Sequence, residues 1–122
     1  MTHADIDILI LDDNEDIVTM LQAMFEMKGY KVKAISSPGE LIECIGEYKP
    51  NVLLMDMLLS GGDGRELCTQ IRNNPSHGDL KVMMMSAHPN AAQDCYAAGA
   101  DIFISKPFDM GQMLSALAHA LK

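Results

Sequence analysis

The sequence predicts an α/β fold in which a doubly wound, five-stranded, mostly parallel sheet carries five helices on its two faces. Three observations predict it. Short apolar runs alternate with amphipathic stretches along the whole chain; the runs are apolar at consecutive positions, as in strands buried on both faces; and Gly, Pro, Asn and Ser punctuate the joins.

Each element follows in order. Ile6 to Leu11 is nearly continuous in apolar and β-branched residues and stops at Asp12, which reads as the first strand. Asn14 is a good helix N-cap, Ile17, Leu21, Met24 and Phe25 recur at helical spacing, and Lys28-Gly29 supplies a C-terminal cation and a closing glycine. Tyr30 to Ile35 reads as the second strand. Ser36-Ser37-Pro38-Gly39 starts a helix whose Leu41, Ile42, Ile45 and Tyr48 share a face, and Lys49-Pro50 ends it. Asn51 to Met55 is the third strand.

The second half repeats the pattern. Gly61-Gly62-Asp63-Gly64 is a loop, Leu67 and Ile71 belong to a helix, and Asn73-Asn74-Pro75 breaks it. Leu80 to Met85 is the fourth strand, Ala91 to Ala98 a short helix closed by Gly99, and Asp101 to Ile104 the fifth strand. Met110 to Leu121 is the last helix, with Met113, Leu114, Leu117 and Leu121 inward. Methionines, including Met83-Met84-Met85, read as core filler. No linker or repeat interrupts the alternation, and the right-handed crossover rule leaves few ways to wind it.

Composition narrows the function classes. The 122 residues fit one domain spanning 1–122, 48% of them are hydrophobic, and no apolar run reaches the ~18 residues of a membrane span. The start MTHADID lacks the basic and apolar regions of a signal peptide, so a soluble, cytoplasmic protein is expected. Cys44, Cys68 and Cys95 show no C-x-x-C spacing and read as buried, neutral thiols in a reducing compartment. The net charge of −8, without a basic cluster, argues against direct contact with nucleic acid or with anionic lipid.

The chemistry gathers at the carboxyl ends of the strands, where ligands bind in open α/β sheets. Those ends carry Asp12-Asp13, Asp56, Ser86 and Ser105-Lys106. Carboxylates ending strands about 4.8 Å apart repel by several kcal/mol at an effective dielectric of about 20, so the cluster calls for a cation. Hard oxygen ligands with room for water suit magnesium, and a lysine and a hydroxyl would hold the oxygens of a phosphoryl group. Singly, each residue has a plainer reading. Asp12-Asp13 could cap the first helix, Ser86 could start a turn, and Lys106 could be a solvated loop residue. Asp56 directly follows an apolar strand, where an uncompensated carboxylate is costly, and the joint arrangement favours a site.

LDDNED, LLMDMLLSGGDG, MMMSAH and GADIFISKPF resemble, in order and spacing, the four signature blocks of response-regulator receiver domains. The resemblance spans the chain and implies a flavodoxin-like sheet of order 2-1-3-4-5. It implies Asp56 as phosphoacceptor, Asp13 as direct magnesium ligand, Asp12 acting mainly through water, and the Leu58 backbone carbonyl as a further ligand. It further implies Lys106 paired to the phosphoryl group, a cis Lys106-Pro107 bond, and Ser86 and Phe103 as the hydroxyl and aromatic that move on activation. The implied partners are a sensor histidine kinase or histidine phosphotransfer protein upstream, and downstream a protein or output domain at the face of the fourth helix, fifth strand and fifth helix. The domain would catalyse only its own phosphorylation and dephosphorylation. No output domain follows Lys122, so the reader of that face is expected to be another protein or a further part of the chain.

Departures from the family pattern matter too. Ser60 stands where proline is frequent, leaving the loop's rigidity open, while Gly61 and Gly64 keep the turn. Leu58 and His88 occupy positions that influence phosphoryl loss; apolar Leu58 cannot orient a water, which favours a longer-lived state, and His88 reads as a surface residue. A pseudo-receiver would lack one of the acids or the lysine. A haloacid-dehalogenase-type phosphohydrolase would need a D-x-D motif ending the first strand, which Asp12-Asp13-Asn14 does not provide.

Overall fold

The apolar runs form β1 (Ile8–Leu11), β2 (Val32–Ile35), β3 (Val52–Asp56), two short arms β4 (Leu58–Leu59) and β5 (Gly62–Asp63), then β6 (Lys81–Ser86) and β7 (Ile102–Ser105). Five of them pair in parallel in the order β2-β1-β3-β6-β7, which is the expected 2-1-3-4-5 order once the two arms are set aside. The computed structural model describes residues 5–88 and 90–122; residues 1–4, which open the 1–122 range and the MTHADID start, and Pro89 lie outside the described residues.

Consecutive residues of β1, and the interior residues of β3 and β6, feed opposite cores, which is why those runs are apolar. Leu9, Leu11, Leu53, Met55, Val82 and Met84 face one core, while Ile8, Ile10, Val52, Leu54, Met83 and Met85 face the other. The helices are α1 (Glu15–Met27), α2 (Leu41–Tyr48), α3 (Gly64–Arg72), α4 (Ala91–Ala97) and α5 (Met110–Ala120). The first core is closed by α2, α3 and α4 through Leu41, Cys44, Ile45, Cys68, Ile71, Ala91 and Cys95. The second is closed by α1 and α5 through Leu21, Met24, Phe25, Met113 and Leu117. No helix among the described residues is long and apolar enough to cross a membrane.

Local signals set the boundaries. Asn14 accepts the N–H groups of Asp16 and Ile17 at the start of α1, Asp63 caps α3, and Asp109 with Gln112 forms a reciprocal capping box on α5. A 3₁₀ turn over Pro38–Glu40, capped by Ser37, leads into α2. Two expectations need correction. Ile42 is 42% exposed and Cys44 is buried in its stead, because α2 turns its Leu41–Cys44–Ile45 stripe to the sheet. The glycine-rich stretch is a β4–β5 hairpin rather than a plain loop, turning at Ser60-Gly61 with Gly61 at φ +80°. The three cysteines are free and buried, and burial raises all three thiols above their usual range, Cys68 to about 11.

Candidate functional site

Register brings the polar residues together. Leu11 lies opposite Met55, so Asp12 and Asp56 leave neighbouring strands on the same rung. On the far side of β3, Asp56 lies opposite Met85, and Ser86 lies opposite Ser105, with the Lys106 N–H donating to the Ser86 carbonyl at 2.8 Å. Asp12, Asp56, Ser86 and Lys106 therefore share one rim. The Lys106-Pro107 bond is cis.

Lys106 Nζ donates to Asp56 Oδ1 at 2.6 Å and to Asp12 Oδ2 at 3.2 Å. The repulsion expected between the two acids is thus met by the ammonium lying between them. Asp12 is only 3% exposed, and its Oδ1 accepts the Asn14 N–H at 2.9 Å. Burial pushes Asp56 above the usual carboxylate range and outweighs Lys106. Burial pulls the Lys106 pKa down, but its bond and charge pairing with Asp56 leave it raised. The Asp56 carboxylate is thus held beside a fixed cation.

Asp13 is exposed, and its Oδ2 accepts the Ser60 N–H at 2.8 Å, the first cause of its lowered pKa. The Leu58 N–H donates to Asp56 Oδ2 at 3.1 Å, and the Leu58 side chain is 58% exposed. Gly64 closes the loop by close approach: its N–H donates to the Met57 carbonyl at 2.7 Å, and a Cβ there would stand 2.6 Å from the Asp56 carbonyl oxygen. Asp56, Leu58, Ser86, Ala87, His88 and Lys106 line an open cleft of about 480 Å³. Ser86 is 6% exposed, and its Oγ accepts the His88 N–H at 3.0 Å.

The donor set suits a small, hard divalent cation. Three carboxylates and one ammonium leave a net charge of −2, which such an ion would cancel, and all the side-chain donors are oxygens. Among the described residues no three His, Cys, Asp or Glu side chains already stand close enough to hold a metal by themselves. Asp12 and Asp56 are occupied with Lys106, and Asp13 with Ser60, so these bonds would rearrange around an incoming ion.

Phe103 lies further along the same sheet face as Ser86. It is opposite Met84, one side-chain repeat (roughly 6.6 Å) before Ser86, and packs partly buried against the first core. Two further polar links escaped the sequence reading. Arg65 grips Asp63 through two nitrogens, at 3.0 and 2.6 Å, and reaches Asp94 of α4 at 3.4 Å. The Tyr96 hydroxyl accepts the Phe103 N–H at 3.2 Å. Asp-x-Arg at a helix start is a weak signal for the first; nothing local marks the second.

The family model for the response regulator receiver domain matches residues 8–118. Transcriptional regulatory protein YvrH of Bacillus subtilis is 30% identical over 118 residues, covering 94% of this chain and 48% of that protein. The chain spans about half the length of the curated relatives it matches. Chemotaxis response regulator CheY4 of Vibrio cholerae superposes with a TM-score of 0.88 at 21% identity, covering 97% of this chain and 100% of that one. The receiver domain of the sensor histidine kinase PA1611 of Pseudomonas aeruginosa, solved with magnesium coordinated in its active-site cleft, gives 0.86 at 22% identity, with 97% and 98% covered.

Proposed function

The chain belongs to the response regulator receiver domains of two-component signalling, and from that premise we propose that it is a phosphorylation-dependent switch whose acceptor is Asp56. The observation that carries the reading is the Lys106 ammonium bridging Asp12 and Asp56, the latter lining the cleft with it. Asp56 Oδ attacks the phosphorus of a phosphohistidine on a sensor kinase or phosphotransfer protein; the P–O bond forms as the P–N bond breaks, and the imidazole leaves with the electron pair. Lys106, already beside the attacking carboxylate, follows the charge onto the transferred oxygens. Asp12, Asp13, Asp56 and the Leu58 carbonyl would hold magnesium, which when bound neutralises charge on the transferred group.

The same reading assigns the response. A modified Asp56 draws the Ser86 hydroxyl from the His88 N–H toward the new oxygens, and Phe103, on the same face, moves into the space released. The domain, proposed to span 1–122 and to work in the cytoplasm, then presents an altered α4–β7–α5 face to a downstream protein or output domain. Exposed, apolar Leu58 beside the acceptor cannot itself orient a hydrolytic water, which favours a long-lived phosphoryl group.

Intact-mass measurement after incubation with acetyl phosphate and magnesium is the test. One added phosphoryl group is expected on wild type and none on Asp56→Asn; equal labelling of both would remove the assignment.

A further inference from the structure

The fourth helix buries little large apolar side-chain surface. It runs only from Ala91 to Ala97, its N-cap Asn90 makes no side-chain cap bond, and the residues it buries are two small ones, Ala91 and Cys95. Small side chains remove little apolar area from water, so polar ties carry a large share of its docking. Two such ties are present among the described residues. Asp94 meets Arg65 at 3.4 Å in an exposed pair of little expected strength. Tyr96, itself 51% exposed, turns its hydroxyl back to accept the backbone N–H of Phe103 at 3.2 Å.

That second bond joins two features of consequence. β7 is an edge strand, with β6 its sheet neighbour, and edge N–H groups need a partner or water. The one that Tyr96 satisfies belongs to Phe103, the aromatic that the proposed switch moves. A side chain on the helix is therefore tied to the main chain of the residue whose rearrangement the helix is to report.

We propose that Tyr96 is a positioning residue of the switch, its phenolic oxygen latching α4 to the edge strand through the Phe103 N–H in the resting state and letting go on activation. This rests on the phosphoacceptor reading and adds to it the element that sets the resting balance. A bond made only in the resting state opposes activation, and by linkage its removal tightens binding of whatever ligand favours the active state. The hydroxyl is the only group lost in Tyr96→Phe, so the ring and its packing stay.

The experiment titrates beryllofluoride with magnesium, a mimic of the phosphoryl group, into wild type, Tyr96→Phe and Asp94→Asn, and follows amide hydrogen exchange at Phe103 in each without the mimic. Tyr96→Phe is expected to bind the mimic roughly two- to tenfold more tightly, the range of one net hydrogen bond, and to exchange faster at Phe103. Asp94→Asn should match wild type in both. Unchanged or weaker binding by Tyr96→Phe overturns the latch, since general loosening of the fold does not raise affinity. Equal tightening in Asp94→Asn also overturns it, because any relaxation of α4 would then suffice. Wild type that fails to bind the mimic would take down the phosphoacceptor reading and the latch with it, whereas wild type that binds normally isolates the fate of the latch.

Discussion

At the scale of single residues, Ser60 shows how a departure from a family pattern acquires a physical meaning. A proline there would have no N–H, whereas Ser60 donates one to Asp13, the proposed direct metal ligand. Magnesium must then compete with that bond. In calorimetric titrations Asp13→Ala should lose detectable binding, and Ser60→Pro should bind magnesium several-fold more tightly, in line with the worth of a hydrogen bond to a charged group. Unchanged affinity in Ser60→Pro would mean that Asp13 serves the metal through its other oxygen. The acids, the lysine and the serine of the rim were legible from the sequence because each ends an apolar strand. The Lys106 bridge and the Ser60 tie were not, because each depends on how residues 94 and 47 positions apart meet in space.

Among the elements, α3 takes its place from both ends of the loop that joins it to β3. Its first residue, Gly64, lies against the main chain of Asp56 and Met57, with a Cβ position 2.6 and 3.1 Å from their carbonyl oxygens. Main chain cannot yield as a flexible side chain can, so Gly64→Ala should lower unfolding free energy by about 1–3 kcal/mol and slow labelling of Asp56; a urea titration and the mass assay read the two. Asp63, capping the same helix, is held below the usual carboxylate range by its side-chain bond to Arg65 and by the Arg65 N–H. A depressed pKa contributes stability above the unfolded-state value and loses it as pH falls through the folded one. The stability gap between wild type and Asp63→Asn should accordingly be full at neutral pH and close only as the pH falls below the ordinary carboxylate range. The order and type of the main elements were legible because strands and helices differ in period. The β4–β5 hairpin was hidden in glycines that offer no period, and Ile42 misled because hydrophobicity alone does not say which of two adjacent stripes faces the sheet.

Across the whole molecule, the two ends of the sheet are built differently. At the entry end of β6 and β7, Arg72 donates to the Leu80 carbonyl at 2.7 Å, to the Gly99 carbonyl at 2.8 Å and to Asp101, whose carboxylate also takes the Val82 N–H at 2.8 Å. One side chain thus binds the end of α3, the start of two strands and the turn after α4. Arg72→Ala should lower unfolding free energy by about 2–4 kcal/mol by urea titration, and Arg72→Lys should recover only part of it, since an ammonium lacks the planar fork. At the exit end, the strands carry the rim of acids, the lysine and the serine, joined by bonds that the proposed chemistry must exchange.

The Arg72 clamp would then serve as a fulcrum for the proposed switch. Strands pinned together where they enter the sheet are held in register there, so the displacement proposed for Ser86 and Phe103 would be a small rotation about the clamped end rather than a slide. The travel would grow with distance from Arg72 and be greatest at the carboxyl rim, where the proposed modification of Asp56 would be read out as movement by the longest available arm.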